Sequence, residues 1–565
     1  MNQAWTAGPP QPPAGGTTLP DRIEKAATRG GSATFVGSGD PERVSWARLH
    51  EDARGVAANL QRLGVAPGDR VALLGPTSRA LVTTIQATWL AGATVVVLPL
   101  PMRLGSVEDF VAQTRARVRS ADVGLTLVDR DLAAFWDPDP SDPPVVLIDE
   151  VAAGPGRARA ADLEEPVIDP RSLAILQFTS GSTADPKGVM LPHAQIGANI
   201  DSIATAAHLD VEGDVIVSWL PLYHDMGLIG LLMTPMTTGT DLVLGAPQDF
   251  MAAPGRWMQW MSDFGGTVTC GPNFAYALAA RALRRQSGWD LSPWRVALNG
   301  AEPIDPRAVD DFCAAGAPHG LDPRSMFCVF GMAEATLAVT FPEPGSGMTT
   351  DTVDRRALEH EGSAAPVGST DERGRRLARL GRPLPGLEVR IVDAASGTVR
   401  SEREVGELEV RGASVTPGYY RHAEATAEAF RGDWLRTGDL AYMCDGELVV
   451  CGRIKDVIII GGRNVYPEDV ERAVGTIPGV RQGNVIAFGV EGRKGREGLV
   501  VVAETKEEDP QAIRQAVATR VRHAVGLTLE EVVLVDPGSL PKTSSGKLQR
   551  SLCRSRYLAA ELGEA

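Results

Sequence analysis

The chain has few cysteines, and they are scattered along it. Six occur in 565 residues, with no C-x-x-C pair and no histidine cluster beside them. Such thiols are typical of a reducing compartment, so we expect a cytoplasmic protein without a disulfide frame or a zinc site. The six are Cys270, Cys313, Cys328, Cys444, Cys451 and Cys553.

Long hydrophobic runs and a leader segment are also missing. The most apolar stretch, residues 83–101, is interrupted by polar residues, glycine and proline, so it predicts a buried helix and a strand and no membrane span. Residues 1–16 have neither a basic start nor an apolar core, and we expect no signal peptide there. Their prolines and glycines predict a flexible tail over residues 1–18.

Basic residues are fewer than acidic residues in this chain. With 56 Lys and Arg against 71 Asp and Glu, the formal net charge is −15, which argues against a nucleic-acid or anionic-membrane partner. Residues 511–565 reverse this balance, with eight basic and five acidic residues. That local excess indicates either a solvated helical face or a docking surface for an acidic partner.

A Walker loop is absent, but two other segments are rich in glycine and hydroxyl groups. Residues 179–188 read TSGSTADPKG, and such a loop suits a polyphosphate because amides and small hydroxyls can approach its oxygens. Pro186 stands where a Walker loop requires glycine followed by lysine, which disfavours a kinase or P-loop NTPase. Residues 541–547, PKTSSGK, place Lys547 at the tip of a small-residue turn. Together they indicate nucleotide chemistry shared between two parts of the chain.

A chain of 565 residues exceeds the usual limit of one hydrophobic core, so two or more domains are expected. Helix and strand patterns alternate at first, which predicts a largely parallel sheet covered on both faces. After Gly386, short strands separated by turns predict a smaller antiparallel layer. The clearest early patterns are a helix at 43–63, a strand at 70–75, a helix at 81–91 and a strand at 94–99.

We therefore predict an α/β fold in two parts. Residues 19–452 form a large N-terminal domain of parallel and mixed sheets covered by helices, with a small β subdomain. A new unit of strands and helices begins after Asp456, so residues 457–565 are predicted to form a small α+β C-terminal domain. Residues 453–456 join the two.

Six motifs occur in order along this predicted architecture. They are residues 179–188, Asn299-Gly300-Ala301-Glu302-Pro303, Phe330-Gly331-Met332-Ala333-Glu334, Thr437-Gly438-Asp439, residues 452–456 and Lys547. In these six motifs and their order, the chain resembles the superfamily of adenylate-forming enzymes. That superfamily includes acyl-CoA synthetases, luciferase-like ligases and peptide-synthetase adenylation domains. Residues 219–227, WLPLYHDMG, and residues 271–276, GPNFAY, are most similar to fatty acyl-AMP ligases.

The resemblance implies ATP and Mg²⁺ as cofactors and a reaction in two steps. A carboxylate attacks the α-phosphorus of ATP to give an acyl-adenylate and pyrophosphate, and a thiol then takes the acyl group. Lys547 is implied to bridge the acyl carboxylate and the α-phosphate, Glu334 and Thr179 to bind Mg²⁺, and Asp439 to hold the ribose hydroxyls. The implied ATP- and AMP-binding residues are Thr179, Ser180, Gly181, Ser182, Thr183, Lys187, Asn299, Gly300, Ala301, Glu302, Phe330, Gly331, Met332, Ala333, Asp439 and Arg453.

Two further roles are carried over from the family. His224 is implied as a catalytic-site residue that gates the acyl pocket, and Lys455 as the hinge about which a mobile C-terminal domain rotates between the two steps. Plainer alternatives exist, since His224 and Phe330 could be core residues, Glu334 an exposed glutamate and Asp439 a turn residue.

The thiol acceptor is left open between two alternatives. Residues 341–380 are longer than the matching segment of CoA-forming relatives and resemble the insertion thought to restrain the C-terminal domain of fatty acyl-AMP ligases and to disfavour CoA. The segment could instead be a tolerated surface loop. Gly461-Gly462, by contrast, resembles the loop that lines the pantetheine tunnel of CoA ligases.

The substrate is expected to be a fatty or other carboxylic acid. Amino-acid-activating relatives place an aspartate in the segment that matches residues 271–278, where this chain has no acidic residue, so a buried ammonium would lack its counter-charge. The chain contains no carrier motif, so an acyl carrier protein would act in trans. A third alternative is a catalytically silent adenylate-binding protein, against which the intact Lys547, Glu334 and Asp439 argue.

Overall fold

The structure is a computed structural model that describes residues 3–11, 17–101, 107–136, 139–153, 158–178, 187–491, 497–507, 509–543 and 546–562. Its strands are β1 (Trp5–Ala7), β2 (Ser32–Phe35), β3 (Glu42–Ser45), β4 (Arg70–Leu74), β5 (Thr94–Val97), β6 (Leu125–Val128), β7 (Val145–Leu147), β8 (Leu173–Phe178), β9 (Gly188–Pro192), β10 (Val215–Ser218), β11 (Asp241–Leu244), β12 (Val268–Gly271), β13 (Val296–Asn299), β14 (Met326–Cys328), β15 (Phe330–Gly331), β16 (Ala338–Phe341), β17 (Thr350–Asp354), β18 (Gly374–Ala378), β19 (Arg382–Pro383), β20 (Leu387–Val392), β21 (Gly406–Gly412), β22 (Phe430–Arg431), β23 (Trp434–Cys444), β24 (Glu447–Arg453), β25 (Ile458–Ile460), β26 (Arg463–Val465), β27 (Val480–Glu491), β28 (Glu497–Thr505) and β29 (Leu529–Val535).

The α-helices are α1 (Leu19–Ala27), α2 (Trp46–Arg62), α3 (Arg79–Leu90), α4 (Val107–Ser120), α5 (Arg130–Ala133), α6 (Ile148–Ala153), α7 (His193–Ala206), α8 (Thr234–Thr238), α9 (Pro247–Ala252), α10 (Gly255–Asp263), α11 (Asn273–Leu283), α12 (Pro306–Gly316), α13 (Arg355–Glu361), α14 (Ala423–Ala429), α15 (Pro467–Val474), α16 (Pro510–Val525) and α17 (Arg550–Leu558). A π-helix spans Met226–Met233, and 3₁₀ turns span Ala160–Asp162, Ala317–His319, Pro323–Ser325 and Ala333–Ala335. In the part of the chain that the structure describes, no helix combines the length and apolarity needed to cross a bilayer.

Two large sheets form the body of the N-terminal domain, as the alternating patterns predict. One has seven strands in the order β14-β13-β12-β10-β11-β2-β3, and the other has six in the order β7-β6-β4-β5-β8-β9. All neighbours are parallel except β2–β3 and β8–β9 at one edge of each sheet. The central strands are buried along most of their length, as expected for parallel sheets whose faces are covered by helices.

The predicted antiparallel layer is also confirmed. Strands β20, β21 and β23 pair antiparallel, with β24 paired to β23. The C-terminal domain has a three-stranded sheet, β27-β28-β29, in which side chains alternate between two cores. Val485 and Ala487 pack on α15 and α16, whereas Ile486 and Phe488 pack on the side of α17. The α/β fold class with a small α+β C-terminal domain is therefore confirmed.

Two local predictions are wrong. The flexible tail predicted for residues 1–18 includes β1, which pairs antiparallel with β20, and Thr18 caps α1. The helix predicted at 43–63 begins only at Trp46, because Glu42–Ser45 is a strand paired with β2 and the Ser45 hydroxyl accepts the Arg48 amide at 3.1 Å as the helix cap.

Candidate active site

The site lies at the carboxyl edge of the seven-stranded sheet. Strands β10, β12, β13 and β14 end at Ser218, Gly271, Asn299 and Cys328, and the loops that follow them meet at this edge, as is usual for parallel sheets. A cleft of about 2510 Å³ separates the edge from the β subdomain and the C-terminal domain. The cleft is bounded by both domains, so residues far apart in sequence face the same space.

The segment from Asn299 to Glu302 forms one wall of the cleft. Ala301 has a left-handed backbone with φ of 68°, and a Cβ at Gly300 would lie 2.9 Å from Val329 Cγ2. Glu302 Oε1 accepts the Phe274 amide at 2.7 Å. Burial raises the pKa of the Glu302 carboxyl, against that hydrogen bond and the attraction of nearby lysines.

The segment from Phe330 to Glu334 forms a second wall. At Gly331 a side chain is excluded, because a Cβ would lie 2.1 Å from the Leu337 carbonyl oxygen. Met332 and Ala333 follow, and Glu334 sits in a single 3₁₀ turn. Burial raises the pKa of Glu334, although its Oε1 accepts a hydrogen bond from the Tyr419 hydroxyl at 2.9 Å. The sequence reasoning did not single out Tyr419.

Asp439 and Arg453 lie opposite each other on the antiparallel pair β23–β24. Arg453 Nε donates to Asp439 Oδ1 at 2.8 Å, and the Asp439 side chain is only 8% exposed. Burial raises the pKa of Asp439 and the charge of Arg453 opposes that rise. The pair therefore presents a buried carboxylate, held by one arginine, to the cleft.

The C-terminal domain brings Lys547 into the same cleft. Its amide donates to Thr543 Oγ1 at 3.0 Å and the Thr543 amide donates back to the Lys547 carbonyl at 2.8 Å, so two hydrogen bonds tie the lysine to Thr543. Burial lowers the pKa of the Lys547 ammonium, whereas the charges of Asp225 and Glu302 raise it. These two carboxylates therefore partly balance the charge of the half-buried lysine.

Asp225 is a site residue that sequence reasoning missed as such. His224 Nδ1 lies 2.6 Å from Asp225 Oδ1, and the Met226 amide donates to the same oxygen at 2.8 Å. Burial alone would raise the pKa of Asp225, but His224, Lys547 and the amide hold it below its usual range. The signal was present in the motif HDMG, whose aspartate directly follows the histidine.

The remaining predicted residues lie around this centre. Lys187 Nζ is 5.3 Å from the centre of the Tyr419 ring, in a cation–π contact. Lys455 lies in the exposed turn after β24, within the predicted join between the domains. Five predicted phosphate-loop residues fall outside the described residues: Thr179, Ser180, Gly181, Ser182 and Thr183.

Part of the cleft lining is apolar. Val268 on β12 lies beside Ile216 on β10, and Cys270 follows two residues after Val268 on the same face of the sheet. The apolar lining residues include Ile203, Ala207, Ile216, Leu231, Val268 and Cys270. Such a lining suits a hydrocarbon chain.

Residues 341–380 pack against the C-terminal domain. They form the β17–β18 hairpin and α13, and Val353, Leu358 and Leu377 share a buried cluster with Tyr466. Two buried ion pairs join the same surfaces. Glu359 pairs with Arg463 at 2.7 Å, and Arg375 pairs with Asp469 at 2.8 Å. Arg375 also lies 4.3 Å from the centre of the Tyr466 ring.

The comparisons with known proteins agree with this geometry. Residues 23–420 match the AMP-binding enzyme family, and residues 462–552 match the C-terminal domain of AMP-binding enzymes. The chain belongs to the AMP-binding enzyme family. The predicted resemblance to adenylate-forming enzymes is confirmed, and this AMP-binding enzyme is an adenylate-forming acid–thiol ligase of a family that uses ATP.

Three similar proteins are informative. The ligase Rv1013 of Mycobacterium tuberculosis is 39% identical over 90% of this chain and 94% of its own length. The medium-chain fatty acid–acyl-carrier-protein ligase JamA of Moorena producens is 33% identical over 94% of this chain and 93% of its own. A structure from a study of the fatty acyl-adenylate ligases of E. coli and L. pneumophila is 32% identical, with a TM-score of 0.89 over 98% of this chain and 99% of that one.

Proposed function

We propose that this enzyme is a fatty acyl-AMP ligase that hands its acyl group to the phosphopantetheine thiol of a carrier protein acting in trans. A carboxylate oxygen of the acid attacks the α-phosphorus of ATP and pyrophosphate leaves. The thiol sulfur then attacks the acyl carbon, and AMP leaves with that oxygen. The observation that carries the first step is the half-buried Lys547, which lines one cleft with Glu334 and Asp439.

The barrier to adenylation is chiefly electrostatic, because two anions must meet and charge builds on the phosphoryl oxygens. Lys547 supplies a positive charge in a low-dielectric site, which makes that charge more effective than in water. In the absence of substrate, Asp225 and Glu302 balance it. We infer that the acyl carboxylate and the α-phosphate take over that balance when both substrates are bound.

The nucleotide contacts follow from the same geometry. Asp439 has two oxygens for the ribose hydroxyls, and Arg453 fixes one of them at 2.8 Å. Phe330 and the backbone from Asn299 to Ala301 are proposed to hold the adenine, and Lys187 the phosphates. The apolar residues in the cleft lining support a fatty acid as substrate, and His224, which lines the same cleft, is proposed to gate the acyl pocket.

A magnesium ion fits the donor set at Glu334. One carboxylate oxygen, Oε1, accepts a hydrogen bond from the Tyr419 hydroxyl, and Oε2 is the candidate metal ligand. Among the described residues, no group of three His, Cys, Asp or Glu could hold a metal by itself. Mg²⁺ prefers one or two carboxylates together with phosphate oxygens and water, so ATP would supply most of its ligands. Thr179 stays a predicted second protein ligand.

The preference for a carrier protein is supported by the packing of residues 341–380. The pairs Glu359–Arg463 and Arg375–Asp469 hold the C-terminal domain in the arrangement that presents Lys547. Rotation about the proposed hinge at Lys455, within 453–456, would break both pairs. The printed name of JamA, which specifies an acyl carrier protein, points the same way.

A CoA ligase is the second candidate, because Gly461-Gly462 resembles the loop that lines the pantetheine tunnel of CoA ligases. Both glycines have positive φ, 60° and 79°, in the β25–β26 turn. A silent adenylate-binding protein is the third candidate. It predicts no exchange of pyrophosphate into ATP with any acid.

One competition experiment separates these candidates. The enzyme is given ATP, Mg²⁺ and a panel of fatty acids, with CoA, a holo carrier protein or both, and mass spectrometry follows acyl-AMP, acyl-CoA and acyl-carrier. The proposal predicts that acyl-AMP persists with CoA and disappears onto the carrier. Rapid acyl-CoA formation would overturn the choice of acceptor, and the absence of acyl-AMP with every acid would overturn adenylation.

A further inference from the structure

Tyr419 contacts residues from two different sequence motifs, Lys187 of the phosphate loop and Glu334. Its hydroxyl donates to Glu334 Oε1 at 2.9 Å, and Lys187 Nζ lies 5.3 Å from the centre of its ring. Lys187 directly precedes β9 at the end of the phosphate loop, whereas Glu334 lies in the loop after β14 and β15. A single side chain thus contacts both.

The backbone around Tyr419 is held from two sides. The Thr416 amide donates to the Glu334 carbonyl at 2.8 Å, and the Tyr420 amide donates to the Gly188 carbonyl at 2.8 Å. The Tyr419 amide itself donates to Thr426 Oγ1 at 2.9 Å. The segment therefore runs from the first residue of β9 to the Glu334 turn and has little freedom to shift.

The preceding glycine reinforces this constraint. Gly418 has φ of 139°, and a Cβ there would lie 2.3 Å from Thr426 Cγ2. Only glycine allows the chain to pass this close to α14 in that conformation. The position of the Tyr419 ring is thus set by the backbone as well as by its two side-chain contacts.

We propose that Tyr419 is a positioning residue that orients the Glu334 carboxylate toward the Mg²⁺ of bound MgATP. The hydroxyl occupies Oε1 and leaves Oε2 to face the cation. Lys187 against the same ring keeps the phosphate-binding end of β9 in register with that carboxylate. This inference rests on the proposed function, because Glu334 is a metal ligand only within it.

The test compares Tyr419→Phe with Tyr420→Phe. The first change removes the hydroxyl and keeps the ring beside Lys187. The second removes a hydroxyl from the neighbouring ring, which lies against Arg70 and Arg421 instead. Binding of Mn²⁺ in the presence of α,β-methylene ATP is measured by the electron paramagnetic resonance of the free ion. Pyrophosphate exchange is measured over a range of Mg²⁺ concentrations.

Tyr419→Phe is expected to weaken Mn²⁺ binding and to raise the half-saturating Mg²⁺ about tenfold, the loss typical of one hydrogen bond to a charged group. Tyr420→Phe is expected to match the wild type in both measurements. If Tyr419 acts through Glu334, adding Tyr419→Phe to Glu334→Gln will cost nothing further, since Glu334→Gln already removes the carboxylate that Tyr419 orients.

Two results would overturn the inference. One is unchanged metal dependence in Tyr419→Phe, and the other is a full additional loss when that change is made in Glu334→Gln. Failure of the proposed function has a different signature, namely no pyrophosphate exchange by the wild-type enzyme with any fatty acid.

Discussion

Arg375 offers the sharpest perturbation of the contact between residues 341–380 and the C-terminal domain. Its side chain is 3% exposed, its guanidinium pairs with Asp469 at 2.8 Å and it donates to the Cys451 carbonyl at 3.0 Å. Removing one partner of a buried ion pair costs about 3–5 kcal/mol, because the other charge is left uncompensated. At about 1.4 kcal/mol per factor of ten, Arg375→Ala should shift the balance between held and released C-terminal domain by about two to three and a half powers of ten.

Trypsin cleavage at Lys455, in the turn that follows β24, measures this release. Arg375→Ala should be cut faster than the wild type and should form more acyl-CoA. Arg373→Ala is the matched control, because Arg373 is 73% exposed and pairs with Asp371 in the same hairpin. Adding Asp469→Ala to Arg375→Ala should recover part of the loss, since the unpaired charge is removed. If Arg375→Ala is cut no faster than Arg373→Ala, residues 341–380 do not restrain the domain.

Three further outcomes are expected. Gly331→Ala should abolish ATP binding in calorimetry, since its Cβ would lie 2.1 Å from the Leu337 carbonyl oxygen, whereas Gly368→Ala, with open space around it, should bind normally. Burial lowers the pKa of His193 to about 4, so between pH 6.5 and 4 the histidine binds a proton in the unfolded chain but stays neutral in the folded one. The free energy of unfolding therefore falls as the pH falls over that range, by up to about 1.4 kcal/mol per pH unit. His193→Gln should therefore flatten the acid dependence of the melting temperature over that range. Burial also lowers the pKa of Lys547, so pyrophosphate exchange should fall at alkaline pH, and Lys547→Arg should lack that fall.

The pattern of helices and strands could be predicted where it depends on neighbours in sequence. Strands β4 and β5 and helix α3 follow from local apolar runs, and their burial in a parallel sheet follows from the alternation. The strand β1 could not be predicted, because Trp5 pairs with Arg390, far along the chain, and its own three residues carry no periodic signal. The pairing of β3 was also missed, although its partner β2 is close in sequence.

The residues of the candidate site likewise include some that could be predicted from the sequence and some that could not. Lys547, Glu334 and Asp439 stand in short motifs and could be named from the sequence, although their roles stay predictions. The roles of Asp225 and Tyr419 can be inferred only from partners that lie far away in sequence. The partner of Asp225 is Lys547, and the partner of Tyr419 is Glu334. The length of residues 341–380 indicated a restraint on the C-terminal domain. Only the fold, however, shows that their charged residues pair with those of that domain.

The account depends most on one lysine from the C-terminal domain completing the adenylation site. Lys547→Ala tests this when the two half-reactions are assayed apart, one from ATP and a fatty acid and the other from synthetic acyl-AMP and a holo carrier protein. Adenylation should fall by about 10²–10³-fold, the usual cost of one electrostatic contact to the transition state, while acyl transfer from supplied acyl-AMP should be retained. An unchanged adenylation rate, or an equal loss in both half-reactions, would contradict the account.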